Sequence, residues 1–255
     1  MIRAALLVSA LAAPVAAQER VASIGGSVTE IVYALGQENR LVARDSTSTW
    51  PEAATALPDV GYMRALSPEG VLSVSPDLVL ADEGSGPPEA IDVLRKASVP
   101  VVLLQADPTA EGIAAKIEQI GRALGVEGDA EALAGTIRAD LAAAKDRAAA
   151  IPEEKRKRVL FVLSLQGGRI MASGEGTSAA SMIEMAGAVN AVEGFEGYKP
   201  VTEEAVIAAA PDVILMMDRG AGHDPDGLFG LPAIAATPAG KDRALVTMDG
   251  LYLLG

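Results

Sequence analysis

Residues 66–80 read LSPEGVLSVSPDLVL, and residues 201–215 read VTEEAVIAAAPDVIL. Each stretch has a hydroxyl residue before an acidic first turn, which is the pattern of a capped helix N-terminus. In each, a Pro-Asp pair then turns the chain into a run of apolar residues typical of a buried strand. Both stretches therefore predict the same helix–turn–strand unit, with Ser67 and Thr202 as the helix caps.

The two copies stand in a constant register, which aligns Glu69 with Glu204 and Pro76-Asp77 with Pro211-Asp212. Copies this far apart each close a sheet of their own, so the repeat predicts two similar lobes. From Val21 onward, short β-branched runs alternate with helical patterns, which favours parallel βαβ units. We predict an α/β fold of two Rossmann-like lobes with a ligand cleft between them. The alternative is that two ordinary α/β turns match by chance.

Helical sequence separates the two copies. Thr109–Leu124 is amphipathic, and Asp129 is placed to cap a second helix over Ala130–Ala149, which Ile151-Pro152 ends. A single long helix is a rigid connector, so we predict small opening motions of the lobes. The predicted boundaries are 18–126 for the first lobe, 127–152 for the connecting helix and 153–255 for the second lobe.

The first unit of the chain predicts a glycine turn at the cleft. Val21–Ile24 is a strand, and Gly25-Gly26 leads into a helix over Val28–Leu35, opened by a capping box of Ser27 and Glu30. The glycine pair lacks the three-glycine spacing of a dinucleotide fingerprint, and no P-loop lysine follows it. The turn is therefore expected to aim a helix N-terminus at the cleft.

Composition excludes several functions. The 255 residues include no cysteine and one histidine, which argues against disulfides, thiolate or multi-histidine metal sites and cysteine catalysis. The histidine, His223, lies in a polar loop and is expected to be solvated. A formal net charge of −13 repels phosphate backbones, so nucleic acid is not an expected partner. No nucleophile–base pair is visible, so an enzyme is the least favoured hypothesis.

The first residues have the pattern of an export signal. Residues 1–17 combine a basic residue, Arg3, with a short apolar stretch and a small-residue cleavage pattern at Val15-Ala16-Ala17. The apolar stretch is too short to span a bilayer as a helix. We predict cleavage near Ala17 and a mature protein that lies outside the inner membrane without spanning it. The alternative is a buried N-terminal strand or helix.

A tyrosine and an arginine precede the first copy of the repeat. The segment GYMRALS at residues 61–67 falls in the loop before that copy and faces the predicted cleft. A phenolate is a hard anionic ligand suited to ferric iron, and tyrosinate is a known axial ligand of haem. A guanidinium that hydrogen-bonds the phenolate lowers its pKa. Tyr62 and Arg64 are therefore a candidate iron site, although a packed tyrosine is the commoner use of this residue type.

Three stretches carry a family resemblance: RVASIGGSVTEIVYALGQENRLVARD at 20–45, GYMRALSPEGVLSVSPDLVLA at 61–81 and MDGLYLLG at 248–255. They resemble the periplasmic haem-binding proteins of bacterial haem importers, the HmuT type, within the class of ABC-importer binding proteins that carry cobalamin, siderophores and haem. The resemblance implies a non-enzymatic periplasmic carrier, expected to be a monomer, that delivers haem b to an inner-membrane ABC permease. It makes Tyr62 the axial ligand of the haem iron and Arg64 the partner that stabilises its phenolate.

The resemblance also implies contacts to the haem propionates and to the permease. The candidates for the propionates and the porphyrin edge are Arg219, Lys199, Arg44 and Tyr198. Further candidates for stacking on or lining the porphyrin are Trp50, Met171 and Met182. In the family a glutamate on each lobe meets permease arginines, which makes Glu69 and Glu204 the docking candidates. The helix dipole alone also favours carboxylates in these first turns.

Two features depart from the family pattern. Gln166–Thr177 contains no histidine, so we expect a five-coordinate tyrosinate site, or one completed by a weak ligand. The sequence stops at Gly255, directly after the strand-like Leu251–Leu254, where relatives continue into a closing helix, so we expect a truncated second lobe. A ferric siderophore or a cobalamin is the alternative ligand on the same architecture, and the low aromatic content disfavours a cobalamin cage.

Overall fold

The computed structural model describes residues 20–166, 169–218 and 225–254. The strands of the first lobe are β1 Val21–Ile24, β2 Leu41–Arg44, β3 Leu78–Asp82 and β4 Val101–Leu104. They form one sheet in the order β2-β1-β3-β4, in which every neighbouring pair is parallel. The carboxyl ends of parallel strands meet at one edge of a sheet, and that edge is where ligands bind in open α/β folds.

Helices cover both faces of this sheet. They are α1 Gly26–Ala34, α2 Pro68–Ser73, α3 Pro88–Lys96 and α4 Ala110–Leu124. Successive residues of a strand point to opposite faces, so Leu78 and Leu80 of β3 join the apolar core under α1 and α4. Val79 and Ala81 join the core under α2 and α3. The first lobe is therefore a three-layer α/β sandwich, as predicted.

The long helix α5 spans Glu127–Ala149 and lies between the two sheets in the chain. The predicted cap at Asp129 is wrong, because the helix begins at Glu127 and Asp129 lies in its first turn. The reason is a tight hairpin: α4 ends at Gly125 with φ +70°, and a Cβ at Gly121 would overlap Ala130 of α5. The connection between α4 and α5 is therefore short, and α5 begins two residues before Asp129.

The second lobe contains β5 Arg158–Gln166, β6 Arg169–Ser173, β7 Val189–Asn190, β8 Tyr198–Val201, β9 Val213–Asp218 and β10 Leu245–Asp249. The sheet order is β10-β9-β5-β6-β8, with β7 paired to β5. Strand β6 is antiparallel to both of its neighbours, whereas the other pairs are parallel. The two lobes therefore share the α/β class but differ in topology, which corrects the prediction of two similar lobes.

The remaining helices of the described residues are α6 Ser178–Met185, α7 Glu203–Ala209, α8 Pro225–Phe229, α9 Pro232–Ala235, α10 Pro238–Asp242 and α11 Gly250–Leu254. The repeated unit is confirmed in both lobes: the Ser67 hydroxyl accepts from the Gly70 N–H at 3.3 Å, and the Thr202 hydroxyl accepts from the Ala205 N–H at 3.2 Å. Each capped helix leads into its predicted strand, β3 or β9. None of the described helices is both long and apolar enough to cross a membrane.

Two local predictions are wrong. Helix α1 begins at Gly26 after Gly25 at φ +113°, and the hydroxyl of Ser27 donates to Asp82 Oδ2 at 3.2 Å instead of capping the helix. The strand-like Leu251–Leu254 is helical in α11, because Asp249 Oδ1 accepts from the N–H groups of Leu251 and Tyr252. In both cases a carboxylate from outside the predicted pattern decides the local structure.

Candidate functional site

The loop that carries Tyr62 is anchored to the carboxyl end of β2. The Val60 N–H donates to the Arg44 carbonyl at 2.9 Å, and the Ser46 N–H donates to the Gly61 carbonyl at 2.9 Å. Gly61 has φ +102°, a conformation that favours glycine, and its N–H donates to Asp59 Oδ1 at 2.9 Å. The backbone just before Tyr62 is therefore held at the ligand-binding edge of the first sheet.

Tyr62 itself is 46% exposed. It precedes a 3₁₀ turn over Met63–Ala65, and the Tyr62 carbonyl accepts from the Ala65 N–H at 2.8 Å. The Gly86 N–H, from the loop after β3, donates to the Met63 carbonyl at 2.8 Å. The ring is thus open to a ligand while its backbone is tied to two loops, as an iron ligand would require. Its predicted role as haem ligand stays a prediction.

Arg64 acts electrostatically on the opposite lobe. Its guanidinium is one of the groups that lower the pKa of Tyr198, which lies at the start of β8 in the second lobe. A charge acts on a phenol in this way only over a short distance. Arg64 and Tyr198 are therefore near one another although they belong to different lobes, and the surface between them is the candidate site.

Tyr198 is held in the second lobe as a neutral phenol. Burial raises its pKa above the usual range, and this outweighs the lowering by the Thr177 hydroxyl, the Ala179 N–H and the Arg64 charge. Its ring packs against Phe161 with centroids 6.2 Å apart. A protonated phenol donates a hydrogen bond but does not ligate iron as an anion, which suits the predicted contact role rather than ligation.

Alkaline titration of the ligand-free protein tests this burial. We expect the Tyr198→Phe variant to lose phenolate absorbance that the wild type develops above the usual tyrosine pKa of about 10. Because the folded state holds this proton more tightly than the unfolded chain, it adds stability below about pH 10 that is lost as the pH rises through the folded pKa. A difference spectrum that appeared below that pH instead would contradict the burial of Tyr198.

The lobes touch where α1 meets α11. The Leu251 side chain lies so close to Gly26 that a Cβ at position 26 would overlap it. The N-terminus of α1 therefore contacts the second lobe, and the absence of a side chain at Gly26 leaves the room that Leu251 occupies. The candidate site is therefore taken to lie between the Tyr62 loop and the α1 N-terminus of the first lobe and Tyr198 and α11 of the second.

A buried carboxylate beneath the site was not predicted. Asp45 is fully buried; its Oδ1 accepts from the Gly25 N–H at 2.9 Å and the Ser48 hydroxyl at 2.7 Å. Its Oδ2 accepts from the N–H of Thr47 at 3.0 Å and from the hydroxyl of the same residue at 2.7 Å. Asp45 therefore ties the β1–α1 turn to the start of the Tyr62 loop. The signal in the sequence was the polar run Asp-Ser-Thr-Ser directly after strand β2.

A second unpredicted pair lies at the carboxyl end of β3. Lys116 Nζ of α4 contacts Asp82 Oδ1 at 2.6 Å, and both side chains are largely buried. Lys116 also donates to the Ser27 hydroxyl at 3.2 Å. This pair fastens α1 and α4 to the end of the strand, so it supports the edge that carries the site.

The predicted propionate contacts that the structure describes lie in different environments, and their role stays a prediction. Arg44 is largely buried; it pairs with Asp59 at 3.4 Å and donates to the Asp45 carbonyl at 2.9 Å. Lys199 is exposed and lies 5.9 Å from the centre of the Phe195 ring. Because neighbouring strand residues point to opposite sides, it faces away from Tyr198. Arg219 lies outside the described residues, as does His223.

The other predicted contacts occupy different environments. Trp50 is exposed in the loop after β2, Met182 packs in the same apolar cluster as Tyr198, and Met171 is half-buried on β6. No group of three or more His, Cys, Asp or Glu residues in the described ranges is arranged to hold a metal ion.

The docking candidates occupy equivalent, exposed positions. Glu69 lies in the first turn of α2, and Glu204 lies in the first turn of α7. The N–H of Glu204 itself and the Thr202 hydroxyl lower the pKa of the Glu204 carboxyl. It is therefore an ionised, accessible carboxylate at neutral pH. Docking by these residues stays a prediction.

Solved structures of the same fold bind haem. The chain is similar to the periplasmic haem-binding protein BhuT in complex with two haems, at 43% identity and a TM-score of 0.87, over 92% of this chain and 91% of that one. It is similar to the periplasmic haem-binding protein RhuT from Roseiflexus sp. RS-1 in apo form, at 40% identity and a TM-score of 0.87, over 93% and 92% of the two chains.

Curated relatives are more distant. An uncharacterised ABC transporter substrate-binding lipoprotein of Bacillus subtilis, YvrC, is 31% identical over 78% of this chain, and the match spans 64% of that lipoprotein's length. A vitamin B12-binding protein of Yersinia pestis is 28% identical over 91% of this chain and 81% of its own length. The family model described as "Periplasmic binding protein" matches residues 21–251. From its first strand to the helix that closes the interlobe contact, the chain belongs to the periplasmic binding protein family.

Proposed function

We propose that this chain is a monomeric carrier that captures haem between its lobes, ligates the iron through the Tyr62 phenolate and delivers the haem to an ABC permease. The observation that carries the proposal is a half-exposed tyrosine on an anchored loop, two residues from an arginine whose charge reaches the opposite lobe. The likeness to two haem-binding proteins at 43% and 40% identity supports the choice of ligand.

The chemistry follows from the charges at the site. Ferric haem accepts a hard anionic oxygen ligand, which a tyrosinate supplies. Arg64 brings a positive charge to the site in a chain whose formal net charge is −13, and that charge suits an anionic ligand such as haem with its propionates. Tyr198, neutral and on the opposite wall, is suited to donate a hydrogen bond to the bound ligand. The lobes exclude water from both faces of the porphyrin when they meet.

The N-terminal residues and two exposed glutamates bear on export and on delivery of the ligand. The family is periplasmic, and we propose that residues 1–17 are the signal removed near Ala17. The ionised Glu204 and its repeat partner Glu69 lie on exposed first turns of the two lobes, which supports docking to arginines of the permease. The family consists of binding proteins, and we propose that this chain likewise carries its ligand without chemical change.

Cobalamin is the second candidate ligand. The vitamin B12-binding relative from Yersinia pestis covers 91% of this chain, although at 28% identity. A cobalamin is not flat, and its metal does not depend on a tyrosinate ligand. It would therefore make no use of the exposed tyrosine on the Tyr62 loop. We therefore rank it below haem.

Competition binding distinguishes these candidates. We expect ferric haemin to quench the fluorescence of Trp50, the single tryptophan, saturably and with one strong site, and to resist displacement by cyanocobalamin or a ferric siderophore. Trp50 is exposed in the loop that runs from β2 to Tyr62. Displacement of haemin by equimolar cyanocobalamin or ferric siderophore would transfer the assignment to that ligand. Folded protein that binds none of the three would overturn the proposal.

A further inference from the structure

Helix α11 brings a second tyrosine to the surface between the lobes. Its residue Leu251 packs against Gly26 of the first lobe, and its residue Leu253 is 2% exposed within the core of the second lobe. The helix is therefore wedged between the lobes, with one side against each. The remaining sides of the helix adjoin this contact between the lobes.

Tyr252 occupies such a side. Successive residues of an α-helix point about 100° apart, so Tyr252 projects between the directions of Leu251 and Leu253. It is 76% exposed, more than any other large apolar side chain among the described residues. Its N–H is held by Asp249 Oδ1 at 3.0 Å, which fixes the backbone from which the ring projects. An exposed aromatic ring on a fixed backbone at a cleft is a preformed contact surface.

The other aromatic residue predicted on this wall is already engaged. Tyr198 is half-buried, packs on Phe161 and belongs to the apolar cluster that also contains Leu253. Tyr252 is the tyrosine of the second lobe whose ring is not committed to its own core. On the first lobe, Tyr62 presents a ring and hydroxyl that are 46% exposed.

We propose that Tyr252 stacks on the porphyrin face opposite Tyr62, an inference that rests on the proposed haem-binding function. A porphyrin has two broad apolar faces, and ligation through Tyr62 covers one of them. The second face needs an apolar or aromatic partner from the other lobe, and stacking requires a ring rather than an ionisable oxygen. Tyr252 thus contributes to affinity for the macrocycle, not to iron ligation.

The test compares Tyr252→Ala and Tyr252→Phe with ferric haemin and with iron-free protoporphyrin IX. We expect Tyr252→Ala to bind both probes roughly three- to tenfold more weakly than wild type, since an aromatic contact contributes that much. Tyr252→Phe keeps the ring and should bind within about twofold of wild type. Both variants should retain the tyrosinate charge-transfer band, and the matched control Val93→Ala, an exposed apolar residue on α3, should bind as wild type does.

Each contrary result has a distinct meaning. Wild-type affinity in Tyr252→Ala would overturn the stacking role and leave the proposed function intact. Loss of the charge-transfer band in Tyr252→Phe would make Tyr252 an iron ligand and so overturn the inference as stated. A wild-type protein that binds neither haemin nor protoporphyrin would overturn the proposed function and this inference together.

Discussion

The Tyr62→Phe variant is expected to bind ferric haem without the high-spin tyrosinate charge-transfer band of the wild type. Removing the hydroxyl removes the proposed iron ligand but keeps the ring and its 46% exposed position. Outer-shell partners of metal ligands already cost about 10- to 100-fold in metal affinity when mutated, so loss of the ligand itself should weaken haem binding at least as much. An absorbance titration of residues 18–255 with haemin measures both effects.

The matched control for Tyr62→Phe is Tyr198→Phe. Tyr198 loses its hydroxyl in the same way but is a half-buried, neutral phenol of the second lobe. Its variant should keep the charge-transfer band and lose only the modest affinity of one hydrogen bond, about two- to tenfold. Identical spectra for wild type and both variants would remove Tyr62 from the site, and loss of the band in Tyr198→Phe alone would exchange the two roles.

The Asp45→Ala variant is expected to lose about 2–4 kcal/mol of unfolding free energy. The substitution removes the acceptor of two backbone N–H groups and two hydroxyls, and the donor at Gly25 stays buried without a partner. The β1–α1 turn and the start of the Tyr62 loop lose their common anchor. Urea denaturation followed by circular dichroism measures the change in stability.

The control for Asp45→Ala is Asp92→Ala on α3. Asp92 is an exposed carboxylate whose nearest cation, Arg95, is 4.0 Å away, so its removal should change stability by less than about 0.5 kcal/mol. Equal stability of wild type and Asp45→Ala would mean that the buried network contributes little to the fold. A stable Asp45→Ala protein that also binds haemin normally would remove its link to the site.

Local chemistry explains the predictions that the structure confirms. Ser67 and Thr202 cap helices three residues away, so the interaction lies within one turn and is visible in a short stretch of sequence. The capped helices then run to Pro-Asp turns and apolar strands, β3 and β9, as predicted.

The features that the sequence did not reveal are contacts between residues that are far apart in the chain. Asp45 joins Gly25 to Thr47 and Ser48, and Asp82 joins Ser27 to Lys116, so each network depends on how the sheet brings separate segments together. The local pattern around Ser27 favours a helix cap, and it does not include the competing carboxylate of Asp82, which is 55 residues away. The antiparallel strand β6 was missed for the same reason, because strand direction is decided by pairing rather than by composition.

The sequence by itself determined the α/β class, the repeated capped unit and a tyrosine–arginine pair on the loop before its first copy. These features depend on backbone groups and side chains a few residues apart, whose interactions are the same in any surrounding fold. Only the tertiary structure decided which residues of the two lobes come near one another, namely Arg64 and Tyr198, and Gly26 and Leu251. Such contacts join residues more than a hundred positions apart, and they exist only after both sheets have formed and packed.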